Sequence, residues 1–255
     1  MANRTGNSLV SDLRSELNKA AKENIAYDLH GDNPTDVKTW ISTGSTLLDY
    51  IISNRRDGGI PVGKLTTIAG ESASGKSLVV TQILANCQKM GGVAVYIDTE
   101  NAASPDFMEQ LGLDTKNNFM YVQAVSVEKT LETIEDLMGQ YPDNQFFFIW
   151  DSIAATTSEK ELESDFNPQS TMAVKPRIFS KAFPKLTIPL ANHQCTLLLI
   201  NQLKTNITMN VAEAMTTPYI APGGKAIEYF SSLRIWLTKR KAKASYVVDD
   251  SGLRI

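Results

Sequence analysis

Two cysteines and two histidines in 255 residues leave little material for metal cages or cross-links. Cys87 and Cys195 cannot by themselves build a disulfide framework or a zinc site, and both read as reduced core thiols. His30 and His193 have no ligand set around them at metal spacing and read as surface residues. No apolar run approaches the roughly 18 residues that would span a bilayer. The strongest runs, Phe146–Trp150 and Leu197–Ile200, have strand length. The opening residues MANRTGNSLVSDLRSEL hold no apolar signal core, so a cytoplasmic setting without membrane attachment is expected. An excess of positive charge is also missing. Twenty-five Lys and Arg stand against 28 Asp and Glu, so any nucleic-acid contact must be local rather than global. The 42% hydrophobic content excludes disorder throughout. No internal repeat and no low-complexity tract is present.

Residues Leu9 to about Leu29 form a first unit. Val10, Leu13, Leu17 and Ala20 or Ala21 follow helical spacing, with Ser11 as the expected N-cap and Arg14, Glu16, Lys19, Lys22 and Glu23 on the other face. His30–Lys38, with Gly31 and Pro34, reads as a linker. The expected division is therefore 1–38, a helix and linker, and 39–255, the main core. The helix either packs on its own core or serves as an arm that docks on a neighbouring subunit. From Trp40 onward short apolar runs alternate with helical periods. The runs are Lys64–Ala69, Val93–Asp98, Phe119–Val122, Phe146–Asp151, Thr196–Asn201 and Leu233–Thr238. Near-continuous apolar strands between helices predict an α/β fold, a mostly parallel twisted sheet with helices on both faces. Pro184 and Pro189 are expected to kink or break the helix that contains them.

Residues Gly70, Glu71, Ser72, Ala73, Ser74, Gly75, Lys76 and Ser77 spell G-x-x-x-x-G-K-S after a strand and at the start of a helix. Such a loop wraps phosphates with backbone N–H groups at a helix N-terminus. Lys76 is positioned for the β- and γ-phosphates of a nucleoside triphosphate, and the Ser77 hydroxyl for magnesium (Mg2+). The second metal carboxylate should end a neighbouring buried strand, which selects Asp151. Glu100, just past the strand ending at Asp98, is the candidate to activate water, with Asp98 as competitor. Gln202 ends another core strand. It is either an amide that senses the γ-phosphate or an ordinary strand-end glutamine.

These motifs occur in a fixed order: Ile41–Ser45, Gly58–Gly63, the phosphate loop, Tyr96–Ala102, Trp150–Ser152, Ile200–Gln202 and Gly223–Ala226. In that order they resemble the RecA recombinases, over about Ser11 to the C-terminus. The shortened, divergent loops are similar to the phage UvsX-type branch, in which case the setting is the host cytoplasm. The resemblance implies a RecA-like P-loop ATPase core that binds ATP between adjacent subunits. It implies filaments on single-stranded DNA, pairing with a homologous duplex, and strand exchange, with loader and single-strand-binding proteins as further partners. Position by position, Glu100 corresponds to the catalytic glutamate, Gln202 to the switch between ATP and DNA, and Phe107 to an aromatic that stacks on adenine; the alternative for Phe107 is a core aromatic.

Two DNA loops are implied, one around 163–171 and one from about Leu203 to Pro222 that carries Met209, Val211 and Met215 without a clear period. Lys204 would lie near phosphate. Gly223 and Gly224 would let backbone N–H groups approach it, and Lys225 adds charge. Arg177 and Lys181 are four apart and share a helical face, as plausible phosphate contacts. The cluster Lys239–Lys243 is either a DNA patch or a solvated turn. Glu228 departs from the family, which has a basic residue there that reaches the neighbour's nucleotide, whereas Arg234 matches a family arginine. Tyr246–Ile255 reads as a hairpin with a barely begun second strand. The family continues it with paired lysines that reach the adjacent subunit's ATP, so a fragment or shortened member with weak isolated ATPase is expected. Competing readings are another RecA-fold motor, such as a hexameric helicase, and a non-hydrolytic regulatory paralogue.

Overall fold

The computed structural model describes residues 6–31, 33, 35–164, 173–206, 208 and 216–239. Most of the anticipated first DNA loop, the middle of the second with Met209, Val211 and Met215, residues 240–243 of the basic cluster and the C-terminal hairpin lie outside the described residues. The chain divides into two compact units, Met1–Lys38 and Thr39–Ile255. Among the described residues no helix is long and apolar enough to cross a membrane.

The first unit is built on α1 (Gly6–Ala21). Ser11 is not its N-cap but lies inside it, because the helix begins upstream of the first apolar residue of the stripe. Lys22, at φ 56°, turns the chain back. Asn18 then holds the returning segment: its Oδ1 accepts the N–H groups of Ile25 (3.0 Å) and Ala26 (2.8 Å), and its Nδ2 donates to the Ala26 carbonyl (3.0 Å). Leu9, Val10, Leu13 and Leu17 stay exposed, so the apolar stripe finds no cover in its own unit.

The second unit opens with β1 (Trp40–Ile41), α2 (Thr46–Ser53) and β2 (Ile60–Pro61), where β1 and β2 pair antiparallel. A six-stranded parallel sheet follows, made of β3 (Leu65–Gly70), β4 (Val93–Asp98), β5 (Phe119–Gln123), β6 (Phe146–Asp151), β7 (Thr196–Gln202) and, at one edge, β10 (Leu233–Leu237). The spatial order is β10-β3-β7-β6-β4-β5. Its helices are α3 (Lys76–Lys89), α4 (Pro105–Gln110), α5 (Val127–Gln140), α6 (Glu159–Glu163), α7 (Val174–Asn192) and α8 (Lys225–Phe230).

Strand residues alternate between two apolar cores. On one face Val95, Ile97, Phe148, Trp150 and Leu199 pack with α5 and α7; on the other Ile68, Ala94, Tyr96, Ile149 and Leu198 pack with α3. Phe146–Trp150 is buried along its whole length, as a strand covered on both faces requires. Both cysteines are free and buried, and burial pushes the Cys87 thiol up to about 12.

Two local expectations fail. First, of the kink or break expected at Pro184 and Pro189 the break does not occur: α7 is one continuous helix through both. Phe179, Phe183, Leu186 and Leu190 are fully buried and anchor it to the sheet, with the Phe179 and Phe183 rings stacked at 5.2 Å. The prolines remove N–H groups that would bond the carbonyls of Ser180 and Lys185, both exposed residues whose carbonyls water can serve. Second, the base of the loop after β7 is ordered. The two-residue strands β8 (Lys204–Thr205) and β9 (Tyr219–Ile220) pair antiparallel, and the Asn206 N–H continues to the Pro218 carbonyl at 2.9 Å. A two-residue ladder is too short to show a period in sequence.

Candidate nucleotide site

All parallel strands end on the same side of the sheet, and the chemistry-bearing residues collect there. β3 ends at Gly70, and residues 71–75 curl back before α3 starts at Lys76. A Cβ on Gly70 would strike Ser74 Oγ and sit 2.8 Å from the Leu237 carbonyl. Ala73 (φ 54°) and Gly75 (φ 91°) take left-handed conformations that curl the loop into an anion-binding concavity. The first N–H groups of α3 have no acceptor within their own helix. Ser74 Oγ is buried without a hydrogen-bond partner. Lys76, 8% exposed, donates Nζ to the carbonyls of Gly70 (3.1 Å) and Glu71 (2.8 Å). Burial lowers its pKa, partly opposed by the charges of Asp151 and Glu100.

The pairing of β4 with β6 sets Asp98 directly opposite Asp151. The two carboxylates nonetheless have different partners. Asp98 is 2% exposed and accepts the N–H groups of Glu100 (2.9 Å) and Ala103 (3.0 Å) and the Tyr121 hydroxyl (3.2 Å). Both of its oxygens are engaged in holding the turn after β4. Glu100 is exposed beyond that turn, and its Oε1 accepts from Ser152 Oγ (3.0 Å) and Gln202 Nε2 (3.4 Å). Asp151 accepts the Tyr96 hydroxyl at 2.6 Å. Burial raises the Asp151 pKa; the Tyr96 bond opposes this, and the charges of Glu100 and Asp98 reinforce it. The Asp151–Ser152 peptide is cis, and Thr99 bridges both residues through Oγ1, accepting the Ser152 N–H at 3.0 Å.

Two carboxylates, Asp151 and Glu100, therefore act on one lysine beside a concavity of N–H groups and an unpartnered hydroxyl. That donor set fits a phosphate chain carrying a divalent cation. Among the described residues no group of three or more His, Cys, Asp and Glu side chains forms a metal cage. One hydroxyl and one carboxylate, Ser77 and Asp151, suit magnesium, which keeps water and phosphate ligands.

Phe107 is 40% exposed and is not a core residue. It lies in the first turn of α4, capped by Ser104, and lines a depression of about 320 Å3 with Ala73–Leu78. Gln202 stands opposite Gly70 in the β3–β7 register, and the Leu203 N–H returns to the Gly70 carbonyl at 3.2 Å. The phosphate loop and the loop after β7 are thus joined directly.

Of the basic candidates, Arg177 and Lys181 are exposed on α7 and line one open depression of about 370 Å3 with Pro176 and Ser180. Gly224 backs onto Pro176, where its Cβ would come within 2.9 Å, so the exposed Lys225 lies close to that end of α7. Gly223 (φ 105°) and Gly224 (φ 82°) are therefore demanded by packing as well as by any approach to phosphate. Asn201 Nδ2 donates to the Pro222 carbonyl at 2.8 Å and ties this turn to β7. Lys204 is exposed on β8. Glu228 faces Arg234 at 3.4 Å in an exposed pair. Tyr96 and Tyr121 escaped the sequence reading, since only strand register shows which carboxylate each hydroxyl meets.

Comparison with known proteins agrees with this construction. The family model described as the RecA N-terminal domain matches residues 10–251. Protein RecA of Sulfurimonas denitrificans is 35% identical over 195 residues, covering 76% of this chain and 54% of that protein. Protein RecA of Acinetobacter baumannii is 31% identical over 221 residues, covering 87% and 60%. That of Symbiobacterium thermophilum is 32% identical over 205 residues, covering 80% and 55%. The chain spans little more than half the length of these relatives. A family model that matches residues 10–251, with relatives 31–35% identical over most of this chain, places the chain in the RecA family.

Proposed function

We propose that this chain is an ATP-dependent DNA recombinase that assembles on single-stranded DNA and pairs it with a homologous duplex. One observation carries the reading: Gln202, at the root of the loop after β7, donates to Glu100 beside the phosphate loop. A single contact thereby joins the group suited to hydrolysis to the segment suited to DNA. The loop N–H groups and Lys76 hold the phosphates of ATP, and Phe107 stacks on the base. Ser77 and Asp151 hold magnesium, which supplies charge neutralisation at the phosphates. Glu100 orients the attacking water and accepts its proton. Gln202 exchanges Glu100 for the γ-phosphate and shifts Lys204 with β8. Arg177, Lys181, Lys204, Lys225 and the N–H groups of Gly223 and Gly224 contact the DNA backbone.

The exposed stripe of α1 docks on a neighbouring copy to build the filament. The divergent loops between motifs support a phage UvsX-type member acting in its host's cytoplasm, where loader and single-strand-binding proteins would assist. The test is ATP hydrolysis with and without single-stranded DNA, with Lys76→Ala as control. Stimulation by DNA that vanishes in the variant is expected. Hydrolysis indifferent to DNA overturns the recombinase reading in favour of another ATPase of the fold. Nucleotide and DNA binding without hydrolysis means that the groups contributed across the subunit boundary are not supplied by this chain.

A further inference from the structure

Tyr96 is 4% exposed and belongs to the core between the sheet and α3, yet its hydroxyl is not a stray polar atom. In the β4–β6 register Tyr96 faces Ile149 and Asp98 faces Asp151, so Tyr96, Asp98, Ile149 and Asp151 share one face of the sheet. The phenol spans the diagonal from Tyr96 to Asp151 and donates to Oδ2 at 2.6 Å, within the range of a hydrogen bond to an ionised oxygen. The next strand pair repeats the device: Tyr121 on β5 faces Tyr96, Gln123 faces Asp98, and the Tyr121 hydroxyl donates diagonally to Asp98 Oδ2 at 3.2 Å. Each strand-end carboxylate of the site is thus braced by a tyrosine two residues back on the adjoining strand.

We propose that Tyr96 is a positioning residue for magnesium: its hydroxyl occupies Asp151 Oδ2 and fixes the carboxylate rotamer, so that the metal meets a preset oxygen rather than a freely turning group. Outer partners of this kind govern metal affinity although they never touch the metal. The inference rests on the nucleotide site proposed above, and its test separates the two. Binding of a fluorescent, non-hydrolysable ATP analogue to the full chain is titrated with magnesium for wild type, Tyr96→Phe, Tyr121→Phe, Asp151→Asn and the double variant Tyr96→Phe/Asp151→Asn.

Tyr96→Phe should raise the half-saturating magnesium concentration about tenfold while affinity for the metal-free analogue stays at the wild-type level. Tyr121→Phe removes a phenol from the same face and should leave the magnesium requirement unchanged. In the Asp151→Asn background, loss of the Tyr96 hydroxyl should have no further effect, the mark of action through that carboxylate. An unchanged magnesium requirement in Tyr96→Phe, an equal shift in Tyr121→Phe, or full additivity in the double variant overturns the proposal. Failure of wild type to bind the analogue in a magnesium-dependent way overturns the nucleotide site itself. Thermal unfolding of each variant shows whether it is folded, and should Tyr96→Phe be unfolded, Tyr96→Met, which also lacks the hydroxyl and fills the core position with a flexible side chain, supplies the comparison: a wild-type magnesium requirement there overturns the proposal.

Discussion

Asp98 and Glu100 lie two residues apart and meet different hydrogen-bond surroundings. The buried Asp98 spends its oxygens on the turn that presents Glu100. Glu100 is exposed and held by two side-chain donors that a reacting group can displace. Glu100→Gln keeps the shape and removes the proposed base. It should lower ATP turnover by a factor of about 10²–10⁴ while nucleotide binding is retained; single-turnover hydrolysis alongside analogue binding measures both. Loss of binding together with turnover would show that Glu100 holds the nucleotide and is not its base.

Among the elements, α7 shows how tertiary packing overrides local preference. Its buried stripe from Phe179 to Leu190 outweighs two interior prolines. Phe183→Ala should cost about 3–5 kcal/mol in urea unfolding, from lost burial and the cavity left against the sheet. Pro184→Ala should instead gain about 1–2 kcal/mol. It restores an N–H to the Ser180 carbonyl and relieves the ring clash, less the stiffness proline lends the unfolded chain. A destabilised Pro184→Ala would mean that the ring itself is part of the packing.

For the whole molecule, the sheet gathers strand ends from positions 70, 98, 151 and 202 into one site, while α1 carries an exposed apolar stripe in a unit too small to cover it. Leu13→Ser combined with Leu17→Ser should leave nucleotide binding unchanged and abolish fast-sedimenting assemblies formed with single-stranded DNA and a non-hydrolysable nucleotide. Assemblies of wild-type size in that variant would remove α1 from the assembly contact.

The strands and helices of the sheet, the phosphate loop with Lys76 and Ser77, and the strand-end positions of Asp151, Glu100 and Gln202 were legible in the sequence, because burial period and turn chemistry are local properties of the chain. The hydrogen bonds that hold Asp98 to its turn, the exposure of Phe107, the bracing of Asp151 by Tyr96 and the continuity of α7 were not. Each depends on which strand lies beside which and at what register, or on a helix face meeting the sheet. Such contacts join residues tens of positions apart, and neither spacing nor propensity encodes them. Only the parallel order β10-β3-β7-β6-β4-β5 brings them within hydrogen-bond and packing distance.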